Sequence, residues 1–165
     1  MEITHKDTWE QFLDEFFEIF SVSGLFKYKI LICGSYIEEN FAKLKEIRDL
    51  INNIENHLGF FEISFKRTHN ENLIYKFDLV AKFADEIFMV IEHDKGGPMI
   101  EMGIIISIEE FLNKTKVFVL KNAPITQMLV KGGLLTPFFI KDKNLFYFQN
   151  INELKSKLSE LFKTS

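Results

Sequence analysis

Apolar positions along this chain follow two rhythms. Over residues 9–20 they recur at helical spacing. Trp9, Phe12, Leu13, Phe16, Phe17 and Phe20 form one stripe, while Glu10, Asp14, Glu15 and Glu18 lie elsewhere around the cylinder. Short, nearly continuous apolar runs follow. Residues 28–33 (YKILIC) read as a strand buried on both faces, closed by Gly34 and Ser35. A second helical stripe (Phe41, Leu44, Ile47, Ile51, Ile54, Leu58) runs to Gly59 as its stop signal. Residues 60–65 (FFEISF) read as the second strand. Residues 72–84 read as a helix with Leu73, Phe77, Val80, Ala81 and Ala84 inward. Residues 87–91 are the third strand. Pro98 opens a helix that continues to Leu112, and residues 116–120 are the fourth strand. A short helix near 125–130, a fifth strand at 145–148 and a last helix capped by Asn150 and Glu153 complete the pattern.

Strands that alternate with helices, and that read as apolar runs, argue for a parallel sheet with helices on both faces. Five strands predict the flavodoxin-like or Rossmann-like order 2-1-3-4-5. The expected organisation is one α/β domain over 1–165, with an N-terminal helix (1–24) appended to a doubly wound core (28–162). In such sheets a ligand binds beyond the carboxyl ends of the strands, where the order reverses, here between strands one and three.

Composition narrows the classes. Nineteen phenylalanines in 165 residues imply a large core or an apolar face kept for a partner. Cys33 is the single cysteine, which excludes an intramolecular disulfide and fits a reducing compartment. The first ten residues are polar, without the apolar segment of a signal peptide, and no apolar run approaches the roughly 20 residues of a membrane span. A cytoplasmic chain with no membrane partner is therefore expected. Net charge is −4, arginine occurs only at Arg48 and Arg67, and the lysines are scattered among acids. No nucleic-acid partner is expected from that surface. No metal-ligand spacing and no phosphate-binding or nucleophile-elbow motif occurs, so no metal and no cofactor is expected.

Two loops meet at the predicted reversal. The first holds Gly34, Ser35 and Tyr36: a close-approach glycine, a hydroxyl and a ring, followed by a helix whose free N–H groups favour an anion. The second contains His93, Lys95, Gly97 and Pro98 and turns into a helix carrying Glu101 and Gly103. Glu101 falls in the first turn of that helix on this reading. The helix dipole there favours an ionised carboxylate, suited to a nucleophile or an electrostatic stabiliser. First-turn acids also commonly serve only to satisfy a helix end, and a helical glycine such as Gly103 marks either close packing or a ligand's approach.

These residues resemble the nucleoside 2-deoxyribosyltransferases and the related 2'-deoxynucleoside 5'-monophosphate N-glycosidases. The shared features are Cys33-Gly34-Ser35 ending the first strand, Ala84-Asp85 entering the third, and Glu101-Met102-Gly103 in the next helix, at the family's spacing from Asp85. The resemblance covers about residues 28–120 and leaves out the N-terminal helix. It implies cleavage or transfer of an N-glycosidic bond, with Glu101 attacking the anomeric carbon and Asp78 as acid/base. It also implies a nucleoside- or nucleotide-like small molecule as partner, and a homodimer. Asp78 stands one position closer to Asp85 than the family pattern has it, and one residue turns a helical side chain by about 100°. Where phosphate-binding members have an arginine, this chain has Tyr36, Ile37, Glu38 and Glu39, and Lys95 replaces a serine. A nucleoside therefore fits better than a monophosphate. The alternative is a non-catalytic nucleotide-binding or protein-interaction module of the same fold, or a TIR-like NAD hydrolase.

Overall fold

The computed structural model describes residues 5–69, 72–93, 97–140 and 144–164, and the side chains of these apart from 5–8, 139 and 140. Strands β1 (Tyr28–Cys33), β2 (His57–Phe60), β3 (Glu86–Ile91), β4 (Thr115–Leu120) and β5 (Leu145–Phe148) form one sheet. Every pair is parallel and the order is β2-β1-β3-β4-β5, as predicted. The helices are α1 (His5–Phe20), α2 (Glu38–Asn52), α3 (Leu73–Phe83), α4 (Gly97–Ser107), α5 (Glu109–Asn113), α6 (Pro124–Lys131), α7 (Thr136–Ile140) and α8 (Ile151–Lys163). No described helix is long and apolar enough to cross a membrane.

The strand runs are continuous because both sheet faces are covered. Ile30, Ile32, Phe88, Val90 and Phe118 point to the face packed by α2 and α8. Leu31, Cys33, Ile87, Met89, Ile91, Val117 and Val119 point to the face packed by α1, α3, α4 and the short helices α5–α7. All six residues of the central strand β3 are buried. Local chemistry sets the helix starts. Asn72 accepts the Tyr75 N–H at the start of α3, and Asn150 accepts the Glu153 N–H at the start of α8.

The stripe of α1 is core. Phe12 and Phe16 are fully buried, and their rings meet Phe65 (4.8 Å, from Phe12) and Phe83 (4.9 Å, from Phe16). Trp9, Leu13, Phe17 and Phe20 pack around that centre.

Two elements differ from the sequence reading. Helix α2 stops at Asn52, and β2 occupies His57–Phe60 rather than 60–65. Asn56 takes a left-handed turn (φ 62°), and its carbonyl accepts the Tyr28 N–H at 2.7 Å, bringing β2 alongside β1 early. Gly59 is therefore a strand residue, not a helix stop. A β-carbon there would stand 3.2 Å from Ile32 and 3.3 Å from Ile51, so its absence lets α2 lie close on the sheet. The chain then leaves the sheet in a 3-10 turn, Glu62–Ser64. The second difference is a break in the predicted 98–112 helix: Ile108 is extended, which separates α4 from α5.

Candidate functional site

The loops after β1 and β3 meet as expected. Ser35 Oγ lies 2.7 Å from His93 Nε2 and also accepts the Ile37 N–H at 3.3 Å. Lys43 of α2 reaches across to Glu92 at 2.6 Å, and the Glu92 side chain is buried. Gly34 serves packing. A β-carbon there would meet both Leu44 methyl carbons at 3.0 Å and the Val90 carbonyl oxygen at 3.2 Å. Tyr36 packs its ring at right angles to Phe41 and Phe61. Its hydroxyl is buried with no hydrogen-bond partner among the described residues.

Glu101 is the centre of the site. Helix α4 begins at Gly97, so Glu101 sits in the second turn, beyond the strongest part of the dipole. The residue is 9% exposed, and its Oε2 has no partner among the described residues. Its Oε1 lies 3.9 Å from where a Gly97 β-carbon would stand, which shows the carboxyl folding back toward the helix start. Burial, and then the charge of Glu62, push this carboxyl up to about 8. The expected ionised carboxylate is thus corrected. At neutral pH Glu101 holds its proton, because desolvation outweighs the dipole.

The same burial shapes its neighbours. Cys33 and the Tyr36 hydroxyl are both held well above their ordinary ranges, first by burial and then by the Glu101 charge. Cys33 is therefore an inert thiol. Glu62 is 5% exposed and stands 3.6 Å from Lys76 Nζ, an ion pair longer than a hydrogen bond. Burial raises the Glu62 carboxyl, and Lys76 pulls it back.

Asp78 is half-buried on α3 and pairs with Lys82 at 2.7 Å, one turn along the same helix. The carboxylate whose charge reaches Glu101 is Glu62. Gly97 lies at the mouth of the site. Gly103 is exposed, with no described atom within 4 Å of a β-carbon there, so neither close packing nor the Glu101 site explains it. Lys95, with Asp94 and Gly96, lies outside the described residues.

Glu62 and Lys76 are the members that sequence reading missed. Both left a signal. Glu62 is a lone acid in the run FFEISF, and Lys76 lies one turn before Val80 on the inward face of α3, whereas Leu73, read as inward, is exposed. A charge on a face read as buried calls for a partner.

A cleft of about 760 Å³ opens at the other end of the sheet, between Phe26, Tyr28, His57, Glu86, Lys116 and Phe162. Its size suits a small ligand, but its two acids already have cations. Glu86 pairs with Lys116, and Asp85 with Lys29 at 3.0 Å. Among the described residues, the buried side-chain atoms without a hydrogen-bond partner belong to Tyr36, Glu62 and Glu101, which makes the carboxyl end the stronger candidate. Among the described residues no cluster of three or more His, Cys, Asp or Glu is arranged to hold a metal ion. Comparison with protein-family models found no match to this chain, and comparison with curated proteins found none either.

Proposed function

We propose that this chain binds a nucleoside-like ligand where the β1 and β3 loops meet, and cleaves or transfers its N-glycosidic bond with Glu101 as the working carboxyl group. One observation carries the reading: a buried carboxyl with a free oxygen, held near 8 beside a second acid that has a lysine partner. Glycosidic cleavage needs a proton for the departing base and negative charge near the electron-poor sugar carbon. Two carboxyl groups in different surroundings, one beside a lysine, can divide those tasks. Glu101 donates its proton to the base nitrogen as the C–N bond breaks, Glu62, drawn toward its charged form by Lys76, faces the electron-poor sugar carbon, and water or the nitrogen of an acceptor base adds to that carbon and gives up its proton. Ser35 and His93 offer polar atoms to sugar hydroxyls. Glu38 and Glu39 in the first turn of α2 disfavour a phosphate there, which supports a nucleoside over a monophosphate.

The family resemblance instead implies Glu101 as nucleophile, a role that requires the ionised form. The pH profile separates the two roles. A proton donor loses activity as pH rises through about 8, whereas a nucleophile gains it.

The test is base release from deoxynucleosides, deoxynucleoside monophosphates and NAD, followed chromatographically for the native protein and Glu101→Gln. Release by the native protein, cut at least about 100-fold in the variant, is the expected result. Release that Glu101→Gln leaves unchanged would remove Glu101 from the chemistry. No release at all, with a ligand-dependent rise in Tm, would make the chain a binding module.

A further inference from the structure

Helix α1 lies outside the family resemblance, yet it grips the segment that carries Glu62 and Lys76. Glu15 is 4% exposed. Its Oε1 accepts the Arg67 N–H at 3.0 Å, and its Oε2 accepts both the Thr68 N–H (3.0 Å) and the Thr68 hydroxyl (2.6 Å). Thr68 is fully buried. Burial raises the Glu15 carboxyl, but these hydrogen bonds outweigh it and leave the group below its ordinary range. Phe65, fully buried, packs its ring against Phe12 and Phe16 of the same helix. Residues 65–68 follow Glu62 closely in the chain and precede Lys76. That stretch is thus held on α1 by an aromatic contact and by a three-bond carboxylate.

We infer that Glu15 is a positioning residue of the site: it clamps residues 67 and 68 to α1 so that Glu62 and Lys76 are presented together beside Glu101. The backbone donors explain why a carboxylate is needed. Two N–H groups and a hydroxyl converge on one side chain, so the acceptor must offer both oxygens and no hydrogens. A glutamine at this position turns an N–H₂ group toward one set of donors. Arg67 adds an outer contact to Glu18 at 2.6 Å, but that pair is exposed and lies outside the buried clamp.

This inference rests on Glu101 being the working carboxyl, and its test does not depend on turnover. Among the described residues, the groups coupled to Glu101 are Glu62, with Lys76 behind it, and the buried Tyr36 and Cys33. Loosening the 62–76 segment moves Glu62 away and admits water, and both changes lower the Glu101 midpoint. The midpoint can be followed through the protonated-carboxyl infrared band, assigned by its loss in Glu101→Gln. In Glu15→Gln and in Thr68→Val the midpoint should fall from near 8 by at least about one pH unit. Thr68→Ser, which keeps the hydroxyl, should restore it, and Glu18→Gln should leave it in place.

Thr68→Val decides the matter if Glu15→Gln does not fold. An unchanged midpoint in a folded Glu15→Gln or Thr68→Val protein would overturn the clamp. The two readings fail separately. A shifted midpoint in a protein that releases no base would keep the clamp and sink the reaction. Base release with an unshifted midpoint would do the reverse.

Discussion

At the amino ends of β3 and β4, Glu86 meets Lys116 and Asp85 meets Lys29. At the carboxyl ends, the charge of Glu62 acts on Glu101, and Lys76 pairs with Glu62. Among the described residues, the sheet thus pairs Glu86 and Asp85 with lysines at one end, while at the other Glu92 has Lys43 and Glu62 has Lys76 but Glu101 pairs with no cation. Burial lowers Lys116 at the matched end, but Glu86 still answers it. At the other end the mismatch is settled by protonation: Glu101 keeps a proton that water would take at neutral pH. Matched acids hold a fold in place, whereas a mismatched acid is an unspent chemical resource.

The largest expected effect lies in how stability depends on pH. The Glu101 midpoint is raised from 4.5 unfolded to about 8 folded. Its contribution is thus fully present below 4.5 and is lost as pH rises through 8. At about 1.4 kcal/mol per pH unit, discounted for water that an ionised group recruits, the native protein should lose about 3 kcal/mol relative to Glu101→Gln between pH 5 and 9. Urea unfolding of both proteins across that range measures it. Parallel curves would mean that Glu101 is ionised throughout.

Glu86→Gln probes the matched end. It leaves Lys116 partly buried without its acid and should cost about 2 kcal/mol at pH 7. Glu101→Gln at the same pH should be neutral or stabilising. Equal losses in the two variants would erase the distinction between the ends.

The smallest effect concerns two glycines. Gly103→Ala, at an exposed position of α4, should gain about 0.7 kcal/mol, with no change in base release. Gly34→Ala should cost about 1–2 kcal/mol through its contacts with Leu44 and Val90. Thermal unfolding resolves both, and a loss of activity in Gly103→Ala would return that residue to the site.

The sheet was legible because burial on two faces leaves few polar positions in β1, β3 and β4. Meeting of the first and third loops followed from strand order, and Ser35 and His93 do meet. The second acid was less legible. Reading 60–65 as a strand placed Glu62 on a pleat, whereas β2 ends at Phe60 and Glu62 stands on a turn leading to the site. That boundary depends on Asn56 and on α2 packing over Gly59, both tertiary effects. The protonation of Glu101 was equally out of reach. Its spacing pointed to a helix start, but its charge state depends on what covers it.

Pairing between β1 and β3 has a kinetic consequence. Ile30 lies opposite Glu86, with α2, β2 and α3 strung between them in the chain. Closing that loop carries an entropic cost before any contact repays it. The two loops that form the site are therefore expected to come together late, after the intervening third of the chain. A chain caught partway through folding would hold intact helices and no site, so ligand binding would report the last step of assembly.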